Sequence, residues 1–259
     1  MVSDHLLYPK ELQSRYPYSP YPDGRPIWEP EAAWPEPWVL IGAMSSVTTQ
    51  LHFTTNIYVA GHRPLLQVAK EVATAAVLSD DRVALGVGAG WMKEEFDLQG
   101  QDYSKRGKKL TEAIQAWKEL WKGGWVEWHG EHYDIPACTL EPHPTKPIPI
   151  YVGGHTDAAL RRVVAFGDHW HGLNVEPDQA RDHKQKLFTM LSAAGRPTDG
   201  FTFQVRLHID IDAIDVNEWR DKAAAYAEAG VDELVLAPQS GDVAKNERWI
   251  DTLVPALTS

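Results

Sequence analysis

Three short runs bring together residue types able to do chemistry. In Ser3-Asp4-His5 a carboxylate stands next to an imidazole. Such a pair can orient a ring, hold a proton or hydrogen-bond the polar edge of a cofactor. Near a chain start such a pair is more often a solvated or capping pair. Gly153-Gly154-His155-Thr156-Asp157 lies between the apolar Ile150-Tyr151-Val152 and the helix-forming Ala158-Ala159-Leu160-Arg161-Arg162. Glycines let backbone approach a ligand closely, and unpaired N–H groups at a helix start favour an anion such as phosphate. Thr156 suits the cap of that helix, with Arg161 or Arg162 adding charge. A tight βα turn with two surface arginines accounts for the same residues. Gly86-Val87-Gly88-Ala89-Gly90-Trp91 places three glycines at alternate positions, a smooth wall for a flat ring with Trp91 beside it. Close packing of a strand on a helix asks for the same glycines, and the spacing is not the dinucleotide fingerprint.

Other residues are weighed against these. His62-Arg63-Pro64 suits an anionic or polar substrate, while Pro64 alone is what a helix start favours. His169 and His171 flank Trp170 on an expected strand, so both face one side and Trp170 the other. With no fitting third ligand, a pocket wall or core role suits them better than a metal. The 11 tryptophans fall mostly at core spacing and argue for packing first.

The elements that must position these groups follow from periodicity. Short β-branched runs alternate with longer segments of helical period, the pattern of parallel strands joined by crossover helices. Strands are expected at Leu51 to Tyr58, Arg82 to Val87, Ile148 to Val152, Asp168 to His171, Phe201 to Ile211 and Glu233 to Ala237. Helices are expected near Trp38 to Val47, Leu65 to Leu78, Lys105 to Trp121, Thr156 to Phe166, Asp178 to Ala194, Asn217 to Ala229 and Val243 to Leu253. In the third of these, Leu110, Ala113, Ile114, Trp117 and Trp121 share one face. Gly167 and Gly230 stand where helices should end in a left-handed residue. Residues 123–147 break the alternation and read as an inserted hairpin and loop. Tyr8 to Pro37, rich in proline, reads as a long loop that is either a functional lid or merely packed.

A chain of 259 residues, 43% hydrophobic, suffices for one large core of (β/α)8 size. One cysteine, Cys138, excludes an internal disulfide, and no apolar run reaches the length of a membrane span. These features predict a cytoplasmic protein. A net charge of -11 disfavours nucleic acid. A small-molecule substrate and a homodimer are the expected partners.

Several of these runs together resemble the coenzyme F420-dependent (deazaflavin) oxidoreductases of the luciferase-like monooxygenase superfamily. They are Ser3-Asp4-His5, Thr55-Asn56-Ile57-Tyr58, Arg82 through Trp91 with Glu94-Glu95-Phe96, and Tyr151-Val152-Gly153-Gly154 with Ala159-Leu160-Arg161-Arg162 and Gly167-Asp168. Gly130-Glu131-His132-Tyr133 within the insert fits the same family. The resemblance implies a (β/α)8 TIM barrel, an α/β fold, holding F420, or FMN in sister branches, at its C-terminal mouth. It places Asp4 and His5 beside the ring, a non-proline cis peptide at Asn56-Ile57, and the ring near Gly88, Gly90 and Trp91. The phosphate falls on Gly153 and Gly154, next to His155 and Thr156. Asp4 then anchors the cofactor, His5 gives or takes a proton, and His62, Trp91 and Trp170 wall the substrate pocket.

Two departures qualify the resemblance. The sugar-phosphate dehydrogenases of that branch carry an acidic catalytic residue where Trp91 aligns, which argues against their substrate and proton relay. The family also has a first strand, a first helix and most of a second strand before its Asp-His motif, whereas this chain starts almost on it. The expectation is a single domain over 1–259, lacking those pieces or completed by another segment or subunit. The expected activity is hydride transfer between F420 and a small organic substrate. The rivals are an FMN-dependent monooxygenase using oxygen and an inactive homologue or cofactor-binding protein. A metal-dependent barrel hydrolase is disfavoured.

Overall fold

The computed structural model describes residues 1–238 and 242–258, which fall into two compact units divided between Gly153 and Gly154. The first contains α1 (Pro37–Ser46), α2 (Leu65–Leu78), β1 (Leu85–Val87), α3 (Lys93–Leu98), α4 (Arg106–Leu120), β2 (Val126–His129), β3 (Asp134–Cys138) and β4 (Ile150–Gly153). Its extended segments run parallel. Val2 bridges Thr55, Phe53 bridges Val83, Tyr58 bridges Val87, and β1 pairs with β4 from Leu85↔Ile150 to Val87↔Val152.

The expected strand at Leu51 to Tyr58 is therefore a set of single bridges and not a continuous ladder. The reason lies at Thr55, whose hydroxyl donates to the Gly86 carbonyl at 2.7 Å and accepts from the Gly86 N–H at 3.1 Å. A side chain thus takes a place that backbone holds in a regular ladder. The Asn56–Ile57 peptide is cis.

The 3.6 period of α4 buries Leu110, Ala113, Ile114, Trp117 and Leu120. Its indole and that of the residue capping it fasten it to α2: Trp117 Nε1 donates to the Leu65 carbonyl at 3.0 Å and Trp121 Nε1 to that of Ala69 at 2.9 Å. Trp117→Phe keeps most of the apolar area but gives up the indole's bond to a carbonyl at the start of α2. A loss of about 0.5–1.5 kcal/mol is expected, read as a lower urea midpoint at unchanged slope.

In 123–147, β2 and β3 pair antiparallel. The pair is fastened to α4 through Glu112, whose carboxylate accepts from the His132 N–H, the Tyr133 N–H and Trp128 Nε1 at 2.9, 2.9 and 3.2 Å. A Cβ on Gly130 would lie 1.9 Å from Glu112 Oε1.

The second unit alternates α5 (Asp157–Phe166), β5 (His169–Leu173), α6 (Pro177–Ala193), β6 (Phe203–Ile209), α7 (Val216–Glu228), β7 (Glu233–Pro238) and α8 (Val243–Thr258). β6 pairs in parallel with β5, from Trp170↔Phe203 to Leu173↔Arg206, and with β7, from Gln204↔Glu233 to Ile209↔Pro238. Gly230 ends its helix left-handed at φ 84°. Gly167 does not: its φ is -75°. There the helix end is closed by Arg196, whose guanidinium donates to the carbonyls of Val163, Val164 and Gly167 at 2.9, 2.8 and 2.8 Å.

Candidate functional site

In the first unit Asp4 and His5 follow the Val2 bridge directly, so the pairing of Val2 with Thr55 fixes where both side chains start. The Asp4 side chain is fully buried and spends both oxygens on protein. Arg63 Nη1 and Nη2 donate to Oδ2 and Oδ1 at 2.8 Å each, and the Val59 N–H donates to Oδ2 at 2.9 Å. Asp4, expected as a cofactor anchor, is in this arrangement the partner of Arg63. Arg63 in turn lies over the Tyr58 ring at 4.2 Å and is not left for an anionic substrate. Burial works against the guanidinium's charge, but the Asp4 hydrogen bonds and charge outweigh it and raise its pKa.

His5 is held from one side by Glu95. Its Nδ1 lies 3.3 Å from Glu95 Oε1, which also accepts the Leu6 N–H at 2.6 Å. Burial alone would raise the Glu95 carboxyl, yet the bonds from His5 and Leu6 hold it below its ordinary value, so it stays ionised. A proton on Nδ1, assigned from this bond, leaves Nε2 as the ring's acceptor. His5 Nε2 has no hydrogen-bond partner among the described residues. Around the imidazole stand Trp28, Trp34 and Trp91, with ring centroids at 5.0, 4.9 and 5.6 Å.

The remaining expected residues fall in several places. Gly88 and Gly153 make room for Ile57: a Cβ would lie 1.7 Å from its Cδ1 at the first and 2.8 Å from its Cγ2 at the second. Gly90 is left-handed at φ 82° and packs on Val59 and Phe96. Asn56 is half-buried, and its carboxamide has no hydrogen bond among the described residues. His62, expected in a pocket wall, is wholly buried against Phe96, 5.4 Å between ring centroids.

In the second unit, Gly154 has φ 118°, a conformation left to glycine, and Thr156 Oγ1 caps α5 by accepting the Ala159 N–H at 3.2 Å. His155 Nε2 accepts the Leu173 N–H at 3.2 Å. Trp170, also expected in a pocket wall, is fully buried, stacked on Phe203 at 4.1 Å, with Nε1 donating to the Gly154 carbonyl at 3.0 Å. His171 Nδ1 bonds Gln204 Oε1 at 2.6 Å. No group of three metal-ligating side chains occurs among the described residues, and none of the described helices is long and apolar enough to cross a membrane.

Sequence reasoning named Arg63 for an anionic substrate and Glu95 within the family resemblance, but paired neither with Asp4 or His5. The signal that could have joined Arg63 to Asp4 is that a carboxylate needs a cation wherever it is buried.

Burial pushes four histidines down to about 4: His62, where Arg63 adds to the effect, His155, where His183 adds, His171 and His208. Their ordinary value is 6.5, so the unfolded chain takes up protons that the folded chain refuses as pH falls. Their contribution to stability is whole above pH 6.5 and drains away toward pH 4. Melting temperatures taken from pH 7.5 to 4.5 are expected to fall steadily; a flat profile would contradict the neutral state of these rings.

Parallel strands joined through helices define an α/β protein, and a carboxylate-held histidine follows its first bridge. A match to the luciferase-like monooxygenase family spans residues 22–252, and the chain belongs to that family. A Mycobacterium tuberculosis protein of uncharacterised activity is 38% identical over 215 residues, 78% of this chain and 72% of that one. Pyrimidine monooxygenase RutA of Allorhizobium ampelinum is 23% identical over 193 residues, 71% of this chain and 52% of that one. An F420-dependent secondary alcohol dehydrogenase, solved with an F420-acetone adduct, superposes with a TM-score of 0.78 at 18% identity. The superposition covers 89% of this chain and 86% of that one, so the two share a fold.

Proposed function

We propose that this chain is an oxidoreductase that transfers a hydride between coenzyme F420 and a small organic substrate, with His5 as the group that gives or takes the proton. The observation that carries the reading is the His5 clamp. Glu95 fixes Nδ1 at 3.3 Å and leaves Nε2 uncommitted beside the aromatic rings. The (β/α)8 barrel of the family is part of the proposal.

The residues fit a flat, polar, phosphate-bearing cofactor by the chemistry of their donors. Thr54 Oγ1 is buried without a partner, and Asn56 keeps an unused carboxamide. In the second unit the start of α5 offers N–H groups beyond the one that Thr156 takes. In the first unit Asn56, Ile57 and Trp91 are assigned to the ring; in the second, taken by itself, Gly154, His155 and Thr156 are assigned to a phosphate. The coenzyme, when bound, supplies the two-electron hydride chemistry.

The chain's own groups do the rest. Glu95 holds the imidazole in one tautomer and stabilises the imidazolium once Nε2 takes a proton. Arg63 and Val59 hold Asp4, and through it the backbone on which His5 is carried. Trp91 excludes water from the imidazole face.

Titration of the purified protein with F420 and with FMN, followed by tryptophan quenching, tests the cofactor. Tighter binding of F420 supports hydride transfer. Tighter binding of FMN turns the reading to a monooxygenase, and binding of neither to an inactive homologue. His5→Ala is expected to lower turnover by about 10²–10⁴-fold. Glu95→Gln is expected to lower it less, and to have no further effect in the His5→Ala background, the signature of a residue that acts through another.

A further inference from the structure

The ring packed beside both His5 and Trp91, which themselves meet edge-on at 5.6 Å, belongs to the protein itself. The Trp28 indole has four aromatic neighbours: His5 at 5.0 Å and tilted by 34°, Tyr16 at 5.1 Å, Trp34 at 5.2 Å and Trp91 at 6.3 Å, the last three edge-on. Tyr16 and Trp91 also touch each other at 5.2 Å, which closes the cage. Edge-to-face and offset packing of this kind is what an aromatic guest prefers, and it discriminates against an aliphatic one of equal size.

The segment carrying Trp28 is tied down at its ends and not in its middle. Before it, Glu94 Oε1 accepts the N–H groups of Gln13 and Ser14 at 2.7 and 3.0 Å, and the Tyr16 N–H bonds the Gly24 carbonyl at 2.7 Å. After it, the Glu36 side chain caps α1. Between these anchors no hydrogen bond joins residues 26–35 to the rest of the unit among the described residues; the one recorded there, Ala32 N–H to the Glu29 carbonyl, is internal. Trp28 and Trp34 are held by ring contacts, and Trp34 Nε1 is buried without an acceptor.

The charges that bracket His5 are already engaged with protein. Asp4 and Arg63 neutralise each other, and Glu95 is taken by Leu6 and His5. An ionic substrate would have to break these pairs, whereas a neutral ring would leave them intact.

We infer that the substrate is an uncharged planar ring compound, aromatic or heteroaromatic, that takes the place of the Trp28 indole against His5 and Trp91, while residues 26–35 swing aside to admit it. The inference rests on reading His5 as the proton-handling group, but its test needs no coenzyme. Trp28→Ala removes the internal guest, and free indole is the probe. Isothermal calorimetry is expected to show Trp28→Ala binding indole roughly tenfold or more tighter than the unaltered protein does. Cyclohexylmethanol and indole-3-carboxylate should bind Trp28→Ala at least about tenfold more weakly than indole, and Trp91→Ala in the same background should abolish the preference. Equal binding of the aliphatic compound, or indole binding unaffected by Trp91→Ala, would overturn the inference.

Should Trp28→Ala not fold, hydrogen exchange on the unaltered protein decides. Saturating indole is expected to speed exchange of residues 26–35, and no change there would overturn the proposal. Selective indole binding in a protein that binds no F420 would sink the proposed function and leave this inference standing; F420 binding without indole selectivity would do the reverse.

Discussion

Asp4→Ala is expected to lower the stability of the chain by about 3–5 kcal/mol, because it leaves a buried guanidinium without its counter-charge. The Arg63 side chain is only 10% exposed, and both of its terminal nitrogens point at Asp4. Truncation strands that charge together with the Val59 N–H. Urea denaturation measures the loss. The double variant Asp4→Ala with Arg63→Met is expected to recover much of it, since a buried ion pair replaced as a pair by apolar groups costs little. If the single variant were as stable as the unaltered protein, the ion pair would not be what holds the backbone ahead of His5.

Gly86→Ala is expected to be at least as damaging. A Cβ there would sit 1.9 Å from the Thr55 carbonyl oxygen, which is backbone and cannot rotate away. The two residues are also locked by the reciprocal Thr55 hydroxyl bonds, so relief requires the 53–58 segment and β1 to part. A loss of more than about 3 kcal/mol, or failure to fold, is expected. Gly42→Ala serves as the control: a Cβ at that position meets nothing within 4 Å, and its effect should be small and of either sign. A mild effect at Gly86 would show that the two segments are less closely packed than they stand here.

Helices were legible in the sequence where one face was apolar over several turns. Leu110, Ala113, Ile114 and Trp117 announce α4, and all four are buried. The six-residue α3 went unread because it is too short for a period to show. The segment Leu51 to Tyr58 has the composition of a strand, but its pairing depends on a threonine hydroxyl meeting a glycine 31 residues away, which local pattern does not encode. Gly167 misled for a related reason, because its helix end is closed by a distant arginine and not by its own backbone.

The candidate site divides in the same way. Asp4 and His5 could be picked out by residue type. Glu95, 90 residues on, and Arg63, 59 residues on, become their partners only through the fold. Trp28 and Trp34 lie in a proline-rich stretch whose sequence gives no period to place them. His62 and Trp170 carry the right chemistry for a pocket wall, but a sequence does not say how deep a side chain sits, and both are buried completely.

The Glu112 attachment of the β2–β3 hairpin has a bearing on how this chain can diverge. One carboxylate on α4 gathers three N–H donors from the insert, and the space it needs is kept by one glycine, Gly130. The hairpin is thus pinned at its turn, residues 130–133. Its outer face is free to drift or be exchanged between relatives so long as the acid and the glycine change together or not at all. A transplant of residues 123–147 into another chain would need to bring the Glu112 position with it, together with Lys70 and Asp81, which bond Glu141 and Thr145.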